Sequence, residues 1–171
     1  MTRRVKNRKK KIRTSCATMA PRTDAWSSAL RLLSRREYSE AMLRERLQRK
    51  GFDSDQIEHA LERCRSYNYV NDERFARIRA RQLLASGRAV GPALMADLRH
   101  QRIGDSIARK AINDLEEEFS QAEILKDLCQ RRFPDFDFQT ADDRSRRRVF
   151  NYLRRRGFAS AVLFQYFSEE R

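Results

Sequence analysis

The stretch LRERLQRKGF at residues 43–52 decides the fold, because it returns as LMADLRHQRI at 94–103 and as VFNYLRRRGF at 149–158. The three copies align without gaps, at offsets of 51 and then 55 residues (43 to 94 to 149). The register continues past the quoted segments. Ile57, Ala60, Leu61 and Cys64 fall opposite Ala108, Ala111, Ile112 and Leu115. Leu163, Tyr166 and Phe167 take the first three of those places in the third copy. Apolar positions kept in phase this far mark an internal repeat of one supersecondary unit.

Each unit reads as helices. Apolar residues three and four apart (Leu43 and Leu47; Ile57, Ala60, Leu61 and Cys64) give one buried stripe per helix. Gly51 and Gly157 stand where a helix should end in a left-handed turn, with the next Phe packing back on the last turn. The second copy has Arg102 at that position, so its turn is expected to use Gly104 instead. Asp53 with Gln56 three residues later resembles a capping box that restarts the chain as a second helix. A further helix precedes each pair, over Trp26–Arg36, Asp72–Ser86 and Gln121–Arg132. The expected fold is all-α: three tandem three-helix repeats at 24–71, 72–118 and 119–171, stacked into an elongated, curved array. Stacking should bury the flanking faces that one small unit cannot cover alone.

Composition agrees. The 171 residues include only 5 Gly and 3 Pro, too few turn residues for the many short strands of a sandwich or barrel. Uninterrupted apolar runs reach four residues, against about 20 for a membrane span. Cys16, Cys64 and Cys129 are far apart, with no C-x-x-C and no nearby His pair, which argues against structural zinc or a disulfide framework. Cys64 reads as a small core residue. A reducing cytoplasm and a monomer are expected.

The net charge is +14, from 38 Lys or Arg and 24 Asp or Glu. Residues 1–23 hold nine of those cations and no acid, leaving 29 − 24 = +5 on the remainder. This segment has no apolar signal core and should be disordered alone. A nucleic-acid-binding arm stands beside two plainer readings, a solvated tail or a mis-assigned start with translation beginning at Met19, and a Lys-rich segment with no clear amphipathic face ranks a mitochondrial presequence last.

Catalytic chemistry is nearly absent from the pattern. No Gly-rich phosphate loop ends in G-K-[ST], His59 and His100 form no triad, and Glu116, Glu117 and Glu118 read as a solvated patch. No enzyme, metal or cofactor is expected. Arginine placement stands out instead. Arg74, Arg77, Arg81 and Arg88 are spaced three, four and seven apart, along one face of the helix after Asp72. Arg144, Arg147, Arg148, Arg154 and Arg155 fall within an arc of roughly 120° at helical pitch, opposite Val149, Phe150 and Leu153. Same-sign stripes on successive repeats point to phosphate or to an acidic protein surface, which Arg contacts well. Phe75, Tyr67, Tyr69, Tyr152 and Tyr166 are read as core aromatics rather than base-stacking platforms.

Three segments carry a resemblance. LRLLSRREYS at 30–39 followed by Leu43, Leu47, Lys50, Gly51 and Phe52, then YVNDERFA at 69–76, then GPALMADLRHQRI at 91–103 resemble the RecX family, bacterial modulators of the RecA recombinase. The likeness spans 25 to about 171 and is strongest over 29–103. Asn71, Asp97 and Arg102 depart from the family pattern, and the loop from Gly87 to Gly91 is longer than usual. The resemblance implies a non-enzymatic regulator lying along the RecA–DNA filament, restraining its growth and inhibiting ATP hydrolysis and strand exchange. The nine arginines named above are the expected contacts to RecA or to single- or double-stranded DNA. A sequence-independent nucleic-acid-binding helical-repeat protein is the alternative.

Overall fold

The computed structural model describes residues 24–169, so the basic segment 1–23, with Cys16 and Met19, lies outside the described residues. Among the described residues there are nine helices and no strand. They run α1 (Ala25–Leu33), α2 (Glu40–Arg49), α3 (Ser54–Ser66), α4 (Asp72–Ala85), α5 (Gly91–His100), α6 (Asp105–Glu116), α7 (Gln121–Arg132), α8 (Asp143–Arg155) and α9 (Ser160–Glu169). Helix–helix packing falls into triplets: α1, α2 and α3 on one another; α4, α5 and α6 on one another; α9 on α7 and α8. None of these helices is long and apolar enough to cross a membrane.

Local signals set the helix ends. Asp24, Ser39, Asp53, Asn71 and Asp142 each accept a hydrogen bond from the backbone N–H three residues on. At Asp53 the backbone N–H donates in return to Gln56 Oε1, which completes the expected capping box. α1 stops at Leu33, short of the expected Arg36: the Ser34 hydroxyl closes onto the Arg31 carbonyl and the Arg35 N–H tightens to the Leu32 carbonyl, three residues back.

The repeated segment ends the same way three times. The N–H of Phe52, Ile103 and Phe158 returns to the carbonyl of Leu47, Leu98 and Leu153, around a left-handed residue. That residue is Gly51 (φ 86°), Arg102 (φ 61°) and Gly157 (φ 97°). The expectation that Gly104 replaces the missing glycine is therefore corrected. Arg102 itself takes the left-handed conformation, while Gly104 is extended and opens α6 as its N-cap. Burial of Leu98 and Ile103 on either side holds Arg102 there at a cost of about 1–2 kcal/mol.

Every aligned apolar position packs. Leu43, Leu47, Ile57, Leu61 and Cys64 form the core of the first triplet with Ala29 and Val70. Leu98, Ile103, Ala108 and Ala111 form a second cluster with Ala76. The largest cluster spans two triplets. Leu83, Leu84, Val90 and Leu94 pack with Ile124, Leu125, Leu128, Val149, Leu153 and Leu163.

The two junctions differ in kind. Between the second and third triplets a single apolar core runs through. The Val90 N–H also donates to the Arg156 carbonyl at 2.8 Å. Between the first and second triplets the hydrogen bonds are polar clasps. The buried Ser39 hydroxyl donates to the Gln101 carbonyl at 2.5 Å, and the Glu40 N–H donates to Asp72 at 2.8 Å. The expectation of buried flanking faces holds at the second junction. At the first, the segments that meet are helix termini, whose unpaired backbone groups need polar partners.

Candidate partner-binding surface

α8 carries the strongest charge. Its inner stripe, Val149 and Leu153, is buried, which forces the rest of the helix outward. Arg144, Arg147, Arg148, Arg154 and Arg155 are all exposed and make no ion pair among the described residues. The nearest acids are Asp143, which pairs with Arg146 at 3.5 Å, and Asp142, whose carboxyl hydrogen bonds from Ser145 hold below the usual range. Asp142 is thus spent as the helix cap. The basic face of α8 stands as five unneutralised guanidinium groups.

The arginines around α4 behave differently. Arg74 donates to Glu37 at 3.2 Å and to the Asn68 and Tyr69 carbonyls at 3.0 and 3.3 Å. It clamps the end of α3 to the segment before α2. Arg77 approaches Glu118 at 3.8 Å, and Arg81 donates to the same carboxylate. Glu118, read as part of a solvated acidic patch, is instead the counter-charge of two candidates. Both pairs are well exposed, so a partner anion could displace Glu118 at little cost.

Arg88 does not share the α4 face. α4 closes at Ala85, and Gly87 turns left-handed (φ 63°). The Arg88 N–H then returns to the Leu83 carbonyl at 2.9 Å, so the chain leaves the helix axis before Arg88. The turn carries Arg88 toward the third triplet. There it lines a cleft of about 780 Å³ with Tyr152, Arg155, Arg156, Arg79 and Asp97. Arg79 grips Asp97 with two bonds, 2.8 and 2.9 Å, so the pair is internally neutral. Arg88, Arg155 and Arg156 remain as the excess charge of the cleft.

Arg156 was not among the expected contacts, because it lies on the inward side of the α8 wheel. It sits 4.6 Å over the Tyr152 ring and donates to the Gly87 carbonyl at 3.4 Å. Its membership of the run Arg154, Arg155, Arg156 is the one sequence signal that could have found it. Thus the structure joins Arg88 to the α8 face and leaves Arg74, Arg77 and Arg81 on a separate, acid-neutralised surface.

Among the described residues no three His, Cys, Asp or Glu side chains are placed to hold a metal ion. Burial pushes the Cys64 thiol up, the wrong direction for a nucleophile. Asp105 and Glu58 are held below the ordinary carboxylate range by hydrogen bonds from Arg99, and from Arg44 and Arg65. These are signatures of structural ion pairs.

Known proteins resemble this chain in sequence and fold. A family model described as RecX, first three-helix domain, matches residues 25–64. Regulatory protein RecX of Trichlorobacter lovleyi is 32% identical over 147 residues, covering 86% of this chain and 96% of its own. Regulatory protein RecX of Haemophilus influenzae is 30% identical over 137 residues, covering 80% and 88%. A crystal structure of regulatory protein RecX superposes with a TM-score of 0.69 at 23% identity, over 86% of this chain and 72% of that one. RecX from Lactobacillus salivarius superposes at 0.66 and 17% identity, over 85% and 93%. At those identities the two structures speak for the fold.

Proposed function

This chain belongs to the RecX family of regulatory proteins, and on that premise we propose that it modulates the RecA recombinase by binding the RecA–DNA filament and restraining its ATPase, growth and strand exchange. The observation that carries the proposal is the unneutralised arginine face of α8, continued into the cleft by Arg88 and Arg156. Arginine offers paired, planar donors to carboxylates and phosphates alike, so such a face suits a partner with repeated anionic groups. The triplets 24–71, 72–118 and 119–171 act in this reading as successive modules of an elongated array. Several modules touching neighbouring filament subunits would raise one another's effective concentration, giving inhibition at few copies per filament.

Arg88, Arg144, Arg147, Arg148, Arg154 and Arg155 are the proposed contacts. Arg77 and Arg81 join them by exchanging Glu118 for a partner anion. Arg74 positions the joint between the first two triplets.

The test is single-strand-dependent ATP hydrolysis by the host's RecA, with sub-stoichiometric amounts of this protein. Wild type should inhibit well below one copy per recombinase. A variant with Arg147→Glu, Arg148→Glu and Arg155→Glu should need at least about tenfold more protein, since each rim charge of this kind changes association rate and salt dependence. Its circular dichroism should stay native. Unchanged inhibition by that folded variant overturns the assignment. Inhibition appearing only at DNA-saturating amounts would favour a general nucleic-acid binder. Its affinity for single strands would fall with log salt at about −0.7 per neutralised phosphate.

A further inference from the structure

The third repeat departs from the other two at a pair of surface positions. In the shared register Arg44 and Glu58 of the first triplet fall opposite Met95 and Arg109 of the second, and opposite Phe150 and Phe164 of the third. In the first triplet the two positions form a surface ion pair, with Arg44 donating to Glu58 at 2.6 Å. In the second, Arg109 turns to Asp105 at 3.8 Å. In the third, the same two positions hold rings 5.1 Å apart, centroid to centroid. A solvated ion pair is exchanged for an aromatic pair.

Helix geometry leaves that pair uncovered. Leu163 and Phe167 are the buried positions of α9, so Phe164 stands about 100° round from their stripe. Phe150 packs partly on the core shared with the second triplet. Phe164 rests against the Phe150 ring and is 59% exposed. From Ser160 to Ser168, α9 carries no charged residue. On α8, Arg147 lies one turn before Phe150 and Arg154 one turn after it, both exposed and without an ion pair among the described residues. Asp143, a further turn back, is engaged by Arg146. The other exposed rings differ. Tyr67 and Tyr69, expected from the sequence as core residues, are instead 59% and 47% exposed. They gather beside Trp26, whose ring already has the Arg63 guanidinium 4.1 Å over it.

We propose that Phe150 and Phe164, rimmed by Arg147 and Arg154, anchor an acidic amphipathic protein segment: an apolar side chain over the rings, with a carboxylate one helical turn to either side. Three observations choose this occupant. Arg147 and Arg154 are seven residues apart, which sets them about 10 Å apart along α8 and fits carboxylates at the same spacing on a partner helix. The ring planes are 44° from parallel, so they offer bases no common stacking plane, and phosphates bring nothing to cover an apolar surface. A second copy of this chain, docked here across a two-fold axis, would set arginine against arginine. An aromatic anchor beside arginine is also the usual composition of a protein–protein hot spot. The inference rests on the recombinase reading and deepens it, by assigning this part of α8 to protein rather than to DNA.

The experiment measures binding of full-length protein to filaments of the host's RecA, assembled on (dT)36 with a slowly hydrolysed ATP analogue, and to (dT)36 alone. Phe164→Ala removes a mostly exposed ring and should weaken filament binding at least about tenfold. Phe150→Arg with Phe164→Glu installs the ion pair that the first triplet holds at these positions and leaves the net charge unchanged. That variant should keep its affinity for (dT)36 and lose filament binding by about tenfold or more. Phe164→Tyr keeps the ring and should bind as wild type does. Native circular dichroism and melting temperature of each variant establish that only the surface has changed. Undiminished filament binding by folded Phe164→Ala overturns the anchor. Equal losses on the filament and on (dT)36 alone overturn the choice of protein over nucleic acid. Failure of wild type to bind the filament at all overturns the recombinase reading itself and removes this partner with it.

Discussion

Gly157 locks the second triplet to the third, and replacing it by alanine tests that lock. At φ 97° the residue lies where an L side chain is strained by about 1–2 kcal/mol. An added methyl would also penetrate the Val90 carbonyl oxygen, and would stand 2.9 Å from Ala93 Cβ and 3.1 Å from Ala93 N. Relieving that overlap means moving the start of α5 away from α8, which breaks the bond from Val90 N–H to Arg156 O. Its loss costs about 1 kcal/mol. Opening the shared core adds overpacking strain of about 1–3 kcal/mol. The total is about 3–6 kcal/mol. Gly51→Ala is the internal control, because Gly51 has the same turn at φ 86° with nothing within 4 Å of its added methyl. It should cost only the backbone strain, about 1–2 kcal/mol. Urea unfolding of both variants measures the difference, with the expected excess for Gly157→Ala at least about 2 kcal/mol. Equal midpoints and slopes for the two variants would refute the claim that the glycine is needed for close packing between triplets.

Three further outcomes follow from the same geometry. Ser39→Ala removes both the α2 cap and the donor to the Gln101 carbonyl, so it should lower unfolding stability by about 2 kcal/mol, read from the urea midpoint. Asp24, Glu58, Asp105, Asp137 and Asp142 all have folded pKa values depressed by hydrogen-bond donors. Their stabilisation is fully present above the unfolded carboxylate range and is lost as pH falls through the folded values. The melting temperature should therefore stay level from neutrality to about pH 5 and decline below it. A thiol reagent should modify Cys64 far more slowly in native protein than in urea, since the side chain is fully buried and its pKa is raised by that burial.

Helical content, the triple repeat and most helix ends could be read in the chain itself. Those signals are local. An apolar stripe repeats every three to four residues, and a cap or left-handed turn involves residues within six positions of one another. Gly51, Gly157, Asp53 and Cys64 were legible for that reason. Arg102 shows the limit even locally. Burial of its neighbours Leu98 and Ile103 overrides the preference for glycine, and composition at one site does not reveal that force.

The site was legible as charge and opaque as pairing. Five arginines on one face of α8 follow from helical pitch alone. That Arg81 meets Glu118, 37 residues away, and Arg74 meets Glu37, also 37 away, depends on which helices pack together. So does the approach of Arg156 to Gly87 across 69 residues, which brings Arg88 to Arg155. The all-α repeat, the charge and the family likeness are legible in the chain alone, because these rest on periodicity, composition and motif. Which cations are neutralised, that one junction is a continuous core and the other a set of polar clasps, and that Tyr67 and Tyr69 face outward all follow from how the helices pack. Those outcomes are set by contacts between residues distant in the chain, and a helical period carries no record of them.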